Sequence, residues 1–545
     1  MLAIPLVLVV YTHLWNPIGF PTIHPDEGYY IGRSIHVSDG LGPKEDAARY
    51  DHPYFSWIFL GSIFSLISYP DTTDPTPGNV HSIEIVWLFP RVIMGILAVV
   101  DTFLIYKIAE WRYNRNVAFI AAILFAVMPY TWLIRRALIE PIQLPFLLTA
   151  ILFALYSGLN ARQKSKLKEI KKVKSREENE EIKVRERERE SQGKDCNNYS
   201  DYKKASNQKN IILLLSSGIF LGLTIFTKIP AITLIPLVGF IVFTNNKKSF
   251  KALGIWIIPV ILIPLIWPTH ALFAGHLESW LDDVVWQATE RPESSVWNSL
   301  RDLLRIDPVL ILLGSIGFVY AALRKDAFIL LWVIPFIVFF YFVGRITYNY
   351  WVPLLPAFCI SGAVIITDLS DRVMTRVSKS IGRFLPFAVL SSIAVFGLIT
   401  NVMLITINLS STQIQAAAFV QYELNNEFSS ASNSTPSTSN ITVISGPNYS
   451  WIFKYVFKEE NVLDNFRDRR PIDTEKYIMI TDLPYKTFLR RDNTDRSERL
   501  ETLYDNTLSL AKFNWNTSSY DYDKYPYFSV RQGRAGSEVD IRSNY

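Results

Sequence analysis

Residues 211–243 read IILLLSSGIFLGLTIFTKIPAITLIPLVGFIVF, 33 residues in which Lys228 is the one charge. A bilayer core takes about 20 apolar residues in a helix. The run is therefore read as two short membrane spans turning back on each other at Lys228-Ile229-Pro230. A second run, FLPFAVLSSIAVFGLITNVMLITI at 384–407, has the same character. Of 545 residues 49% are hydrophobic and 19% charged, and the mean hydropathy is +0.17. Soluble domains carry about 25% charge. The chain reads as a polytopic α-helical membrane protein. Its net charge of +5 comes from Lys and Arg clustered in loops and indicates no nucleic-acid partner. Cys196 and Cys359 lie in a charged loop and an apolar run; two such thiols neither pair nor form a zinc framework.

Eleven spans are expected, at 2–16, 84–109, 117–133, 138–158, 211–227, 229–243, 252–272, 308–323, 327–343, 351–367 and 384–408. The first has neither the basic flank nor the small-residue cleavage pattern of a signal peptide and is read as retained. Basic connections face the cytoplasm. With eleven spans, 110–116, 160–210, 245–251, 324–326 and 371–383 all fall on one side, which puts the N-terminus in the cytoplasm and the C-terminus outside. PYFSWIFLGSIFSLISY at 53–69 would break that agreement as a span and is read as a helix near the outer interface. The division expected is a transmembrane domain over 1–408, with an outer loop at 17–83 and a charged cytoplasmic insert at 160–210, followed by an extracytoplasmic domain over 409–545. NITVISGPNYSWIFKYVF and KYIMITDLPY in that tail read as strand, turn, helix and a further buried strand of a small α/β fold. Asn-x-Ser/Thr sequons stand at Asn408, Asn433, Asn440, Asn448 and Asn516.

The outer side carries the chemistry. HPDEGYY at 24–30 sets Asp26 and Glu27 just past the first span. Taken alone, such a pair is an acidic turn, but the other outer loops supply company. His52 stands in RYDHPYFSW, Arg91 in LFPRVIMGIL, Arg135, Arg136 and Glu140 in WLIRRALIEPIQLPFL, Lys228 in the hairpin, and Arg345, Tyr348 and Tyr350 in VGRITYNYWVPLLPAF. Each has an ordinary structural reading: a helix start, a snorkelling arginine, or an Arg135–Glu140 ion pair. Together they set a carboxylate before several cations. A carboxylate can take a hydroxyl proton, and cations hold a phosphate. That combination suits transfer of a group from a lipid phosphate to an alcohol.

In order, PDEGYY, DHPYF, FPRV, RRALIEP and FTKIPA resemble five motifs of the C-fold (GT-C) membrane glycosyltransferases, in the branch of the protein O-mannosyltransferases and lipid A aminoarabinose transferases. The resemblance covers about residues 1–370. It implies a GT-C fold, a polyprenyl-phosphate sugar donor, a hydroxyl acceptor on protein, glycan or lipid, and inverting transfer outside the cytoplasm without a metal or other cofactor. It further implies Asp26 as general base with Glu27 as its partner, and His52, Arg91, Arg135, Arg136, Glu140, Lys228, Arg345 and Tyr350 as the residues that hold donor and substrate. HPYF lacks the second proline and the leucine of its motif, and TKIP has isoleucine for glycine, so substrate identity is not carried over. The alternatives are an oligosaccharyltransferase, whose Trp-Trp-Asp motif is missing here, a lipid-linked sugar flippase, and a surface assembly protein working through its tail.

Overall fold

The computed structural model describes residues 1–43, 50–158, 195–290, 295–343, 346–376, 379–408, 410–431, 441–464, 474–482, 501–514 and 538–545, with side chains left out at 195–207, 290, 376–383 and 427–431. The chain opens with a short helix α1 (Ala3–Leu14), followed by α2 (Pro25–Ser38), α3 (Phe55–Leu66), the long α4 (Val80–Arg112), α5 (Arg115–Val127) and α6 (Ile139–Tyr156). Beyond the insert come α7 (Asp195–Thr227) and α8 (Ile235–Asn245), then a run of further helices to Ile405.

Six helices are long and apolar enough to cross a membrane: Val80–Arg112, Ile139–Tyr156, Gln208–Thr227, Phe250–Phe273, Tyr348–Thr375 and Phe384–Ile405. Two bent pairs bring the total to eight at most among the described residues, and this is a multi-pass membrane protein. The count of eleven is not reproduced, because hydropathy registers apolar residues and not the path they take. Ala3–Leu14 is only 12 residues, about 18 Å at 1.5 Å per residue against a core of about 30 Å. Arg115–Val127 and Pro129–Arg135 meet at 67°. Met128 before Pro129 is pushed out of the helical region into extended backbone, which makes the corner. Pro308–Leu323 and Ala327–Phe342 turn by 119°. The segment read as interfacial, 53–69, is a helix only over Phe55–Leu66, so His52 and Pro53 precede it rather than open it.

A helix over Ser411–Ala431 leads to a five-stranded sheet. Its strands are β1 (Ile441–Ser445), β2 (Val462–Asp464), β3 (Lys476–Thr481), β4 (Leu508–Asn514) and β5 (Glu538–Ser543). The order is β2-β1-β3-β5-β4, with β1 parallel to both neighbours and the β3–β5 and β5–β4 pairs antiparallel. One apolar cluster joins this sheet to the N-terminal third of the chain: Ile31, Leu60 and Trp87 belong to it with Ile414, Val443, Trp451, Ile478 and Ile541. Trp87 meets Trp451 edge to face at 5.0 Å.

The sequons divide on the same ground. Asn433, Asn440 and Asn516 lie outside the described residues. Asn448 is 1% exposed and its amide donates to Asp482 Oδ2 at 3.0 Å. A folded chain cannot offer it to a glycan-transferring enzyme, so peptide mass spectrometry of the chain from a glycosylating host is expected to show Asn448 unmodified. Glycan on Asn448 of the folded protein would contradict this burial.

Candidate active site

Local sequence fixes the start of α2. Pro25 takes the first helical position, where its missing N–H costs nothing. His24 caps the end: its Nδ1 accepts the Asp26 N–H at 3.2 Å, and its own N–H donates to Glu27 Oε1 at 2.9 Å. This reciprocal cap turns the two acids in opposite senses. Glu27 is completely buried. The Asp26 side chain is 49% exposed, with His24 Nδ1 3.7 Å from its Oδ2.

Arg91, from the fourth turn of α4, holds Glu27. Its Nε donates to Oε2 at 3.0 Å and its Nη2 to Oε1 at 2.8 Å. Nη1 donates to the carbonyls of Pro17, Ile18 and Pro21 at 3.0, 3.2 and 2.8 Å, and Nη2 reaches Thr22 O at 3.4 Å. The Ala137 N–H adds a bond to Glu27 Oε2 at 3.2 Å. Burial pushes the Glu27 carboxyl up, but the Arg91 guanidinium outweighs it with help from Arg136, and the net result lies below the usual range. Arg91 is 0% exposed, and its donors lie on Glu27 and on the carbonyls of the 17–22 segment.

The expected Arg135–Glu140 pair does not form. Arg135 is buried, with Nη1 on Thr12 O at 2.6 Å and Nη2 on Trp15 O at 2.8 Å and Asn16 O at 2.6 Å. It caps the carbonyl end of α1. Glu140 instead accepts from Lys228 Nζ, and that ammonium stands 3.7 Å from the Tyr350 ring centroid. The reason is the corner at 128–135: its 3-10 turn aims Arg135 at α1, while Glu140 starts the next helix facing the hairpin. Gln143 fixes the hairpin, its Nε2 donating to Thr224 O and Lys228 O, both at 3.1 Å.

Arg136 differs from its neighbours. It is 4% exposed, lies 4.9 Å over the Trp132 ring, and its Nη2 donates to Thr22 O and Oγ1 at 3.1 and 3.3 Å. Its Nε, 3.9 Å from Glu27 Oε1, and its Nη1 are buried without a hydrogen-bond partner. The charges of Asp26, Arg136, Glu27 and Glu140 all act on the His24 ring, and those of Asp26 and Glu140 act on both Lys228 and Tyr30. These residues form one electrostatic cluster. His52 joins its margin, 6.3 Å ring to ring from Tyr30. Arg345 lies outside the described residues.

Two contributors were not legible as site residues. His24 and its cap could have been found from the His-Pro-x-Glu spacing. Arg33 pairs with Asp51, Nη1 to Oδ1 at 2.9 Å and Nη2 to Oδ2 at 3.4 Å, and lies 4.9 Å over the Trp57 ring. That clamp ties α2 to the loop carrying His52, across 18 residues that carry no local pairing signal. Among the described residues no group of three His, Cys, Asp or Glu side chains has the arrangement of a metal site.

No family model matches the chain, and no curated protein matches it. Solved structures do. The ArnT structure from Cupriavidus metallidurans in the apo state aligns over 100% of this chain and 97% of its own, at 13% identity and a TM-score of 0.55. The same ArnT bound to undecaprenyl phosphate aligns with the same coverage at 12% identity and a TM-score of 0.52. The archaeal oligosaccharyltransferase AglB from Archaeoglobus fulgidus, in complex with an inhibitory peptide and a dolichol-phosphate, aligns over 89% of this chain and 69% of its own, at 12% identity and a TM-score of 0.51. From α1 to the last strand, then, this chain has the GT-C fold of those membrane proteins.

Proposed function

We propose that the protein is a glycosyltransferase that moves a sugar from a polyprenyl-phosphate donor to a hydroxyl acceptor on the outer side of the membrane, with inversion and without a metal. The observation that carries this reading is the placement of a half-exposed Asp26 and the buried, partly unpartnered guanidinium of Arg136 around one residue, His24, on whose ring both charges act. Asp26 takes the proton of the acceptor hydroxyl. The hydroxyl oxygen attacks the anomeric carbon, and the bond from that carbon to the phosphate oxygen breaks on the opposite face. The sugar is transferred inverted, and polyprenyl phosphate leaves with the electron pair. Arg136 Nε and Nη1 are donors already desolvated and held by Trp132, suited to the charge that grows on the phosphate. Lys228 supplies a second cation, and its bond to Glu140 keeps it extended over Tyr350. Arg91, and Arg135 through its two Nη groups, donate to protein oxygens and act as braces of the first outer loop and of α1.

Support from outside the chain is the fold shared with ArnT, one of whose structures holds undecaprenyl phosphate. AglB favours oligosaccharide transfer as the second reading. Among the described residues, however, the acidic spots nearest a metal motif have other partners: Asp283 Oδ2 accepts the Tyr50 N–H and Asp71 pairs with Lys458 at 3.4 Å. The test is incubation of membranes carrying the protein with labelled polyprenyl-phosphate sugars, with and without EDTA. Transfer that EDTA leaves intact is expected, and transfer abolished by EDTA and restored by a divalent cation would turn the assignment to the second reading.

The cation assignment makes its own prediction. Arg136→Ala is expected to weaken binding of undecaprenyl phosphate by roughly 10-fold or more, the loss of a charge-assisted hydrogen bond of about 1.5–3 kcal/mol. The same change at Arg135 should lower thermal stability and leave the affinity of the surviving folded protein near wild type. Isothermal titration or lipid competition in detergent measures both. Unchanged affinity in Arg136→Ala would remove the phosphate from this site.

A further inference from the structure

We infer that the C-terminal sheet is a positioning element for the catalytic helix: the crevice in which a doubly wound sheet binds its ligand is filled here by the first turn of α2. This rests on the proposal that Asp26 is the base. Strand β1 leads through the helical turn Pro447–Trp451 to β2 on one side, while the parallel strand on its other side is β3. Such a change of winding direction opens a crevice at the carboxyl ends of the two strands, the place where open α/β sheets take ligands. Gly446-Pro447-Asn448 follows β1 there and Asp482 follows β3.

The crevice is closed by Gly28. A Cβ on Gly28 would stand 1.8 Å from Pro447 O and 2.9 Å from Asn448 Cα, both backbone atoms that cannot swing aside. Only glycine allows this approach, two residues after Asp26. The floor is polar: Asn448 Nδ2 donates to Asp482 Oδ2 at 3.0 Å, and the Tyr449 hydroxyl is buried near Asp482, Gln413 and Asn448 without a hydrogen-bond partner among the described residues. Gln413 reaches from this floor to the residue before the helix cap, its Oε1 accepting the Ile23 N–H at 2.9 Å and its Nε2 donating to Ile23 O at 3.3 Å. The C-terminal unit thus grips α2 at two points: through Gln413 of the helix over Ser411–Ala431 at Ile23, immediately before the cap, and through the turn after β1 at Gly28, in its first turn. Neither residue touches Arg136 or Lys228 by any bond described above.

The experiment uses the full chain in nanodiscs and the variants Gly28→Ala, Gln413→Leu and Gln413→Glu. Four quantities are read: sugar transfer, undecaprenyl phosphate affinity, thermal midpoint, and amide hydrogen exchange over residues 24–38. A shift of about 1 Å in a catalytic group costs about 10²-fold in rate, and Gly28→Ala is expected to lose about that much transfer. Its undecaprenyl phosphate affinity stays near wild type, and exchange in 24–38 rises. Gln413→Leu should follow the same pattern more weakly, and Gln413→Glu, which still accepts the Ile23 N–H, should recover most of the transfer. If Gly28→Ala does not fold, the Gln413 pair decides alone. Wild-type transfer with unchanged exchange in 24–38, or loss of transfer and donor affinity in step, would overturn the proposal. Absence of sugar transfer by the wild type overturns the assigned function instead, and the exchange arm still tests the grip on α2.

Discussion

Asp26→Asn is expected to lower sugar transfer by ~10²–10⁴-fold, the usual contribution of a positioned general base, with undecaprenyl phosphate affinity unchanged. The substitution keeps shape and hydrogen-bonding atoms but cannot accept the acceptor's proton. Structure sharpens the expectation. Asp26 sits half exposed on the first turn of a helix whose cap, buried salt bridge and sheet contact are all made by other residues. The change is isosteric, and the thermal midpoint should stay near wild type. A fall in kcat with unaltered donor binding is the signature of an interaction made in the transition state alone. Asp39, the C-cap residue of α2, is the proper control, and its Asn variant should remain active. Asp51 would be a poor control despite sharing the loop, because its carboxylate is engaged by Arg33 and its loss would loosen α2 itself. Transfer at the wild-type rate in Asp26→Asn would return the 24–30 stretch to an acidic turn and end the mechanism.

Much of this was visible in the chain before folding, for reasons that differ by residue. Long apolar runs announce a membrane protein because burying a backbone in lipid needs helices of a set length. Strands such as Ile441–Ser445 and Lys476–Thr481 show as apolar runs bounded by turns. Reading Asp26 with Arg136, Glu140 and Lys228 as one set rests on their residue types and places, since charges beside apolar spans are costly and gather where they serve one another. Which cation meets which anion is not legible there. Arg135 and Arg136 are adjacent and chemically identical, yet the 3-10 turn ending at Arg135 directs one at α1 carbonyls and leaves the other with two unpartnered nitrogens. Backbone acceptors have no sequence signature, so nothing in WLIRRALIEP distinguishes the brace from the ligand. Span number is not fixed by hydropathy for a similar reason: a twelve-residue apolar helix and half of a broken one look alike in it. The contact of Gly28 with Pro447 joins residues 419 positions apart through a backbone oxygen, which no local pattern encodes.

Breaking the Glu27–Arg91 pair is expected to be the most damaging single change to stability. Both side chains are 0% exposed and joined by two hydrogen bonds. Removing one partner of such a pair leaves the other charge buried and uncompensated, at a cost of about 3–5 kcal/mol. Arg91→Met should lose that and more, because the carbonyls of Pro17, Ile18 and Pro21 lose their donor at the same time. Glu27→Gln, which keeps an acceptor for the His24 N–H, should lose less. The double variant should be more stable than the two single losses added together, since neither charge is then stranded. Unfolding monitored in detergent across this cycle measures the coupling. Acid gives an independent check. The carboxyl of Glu27 titrates in the native state below its ordinary value of 4.5. A depressed native pKa means that protons bind the unfolded chain more readily, so the pair's stabilisation is complete above that ordinary value and disappears as the pH falls through the depressed one. The wild-type unfolding midpoint should therefore drop on acidification over that interval. Glu27→Gln should show less of this drop, having no carboxylate at 27 to protonate. Equal acid sensitivity in both, together with simple additivity in the cycle, would mean that Arg91 braces the loop through its carbonyl contacts alone and that the charge on Glu27 is incidental to the fold.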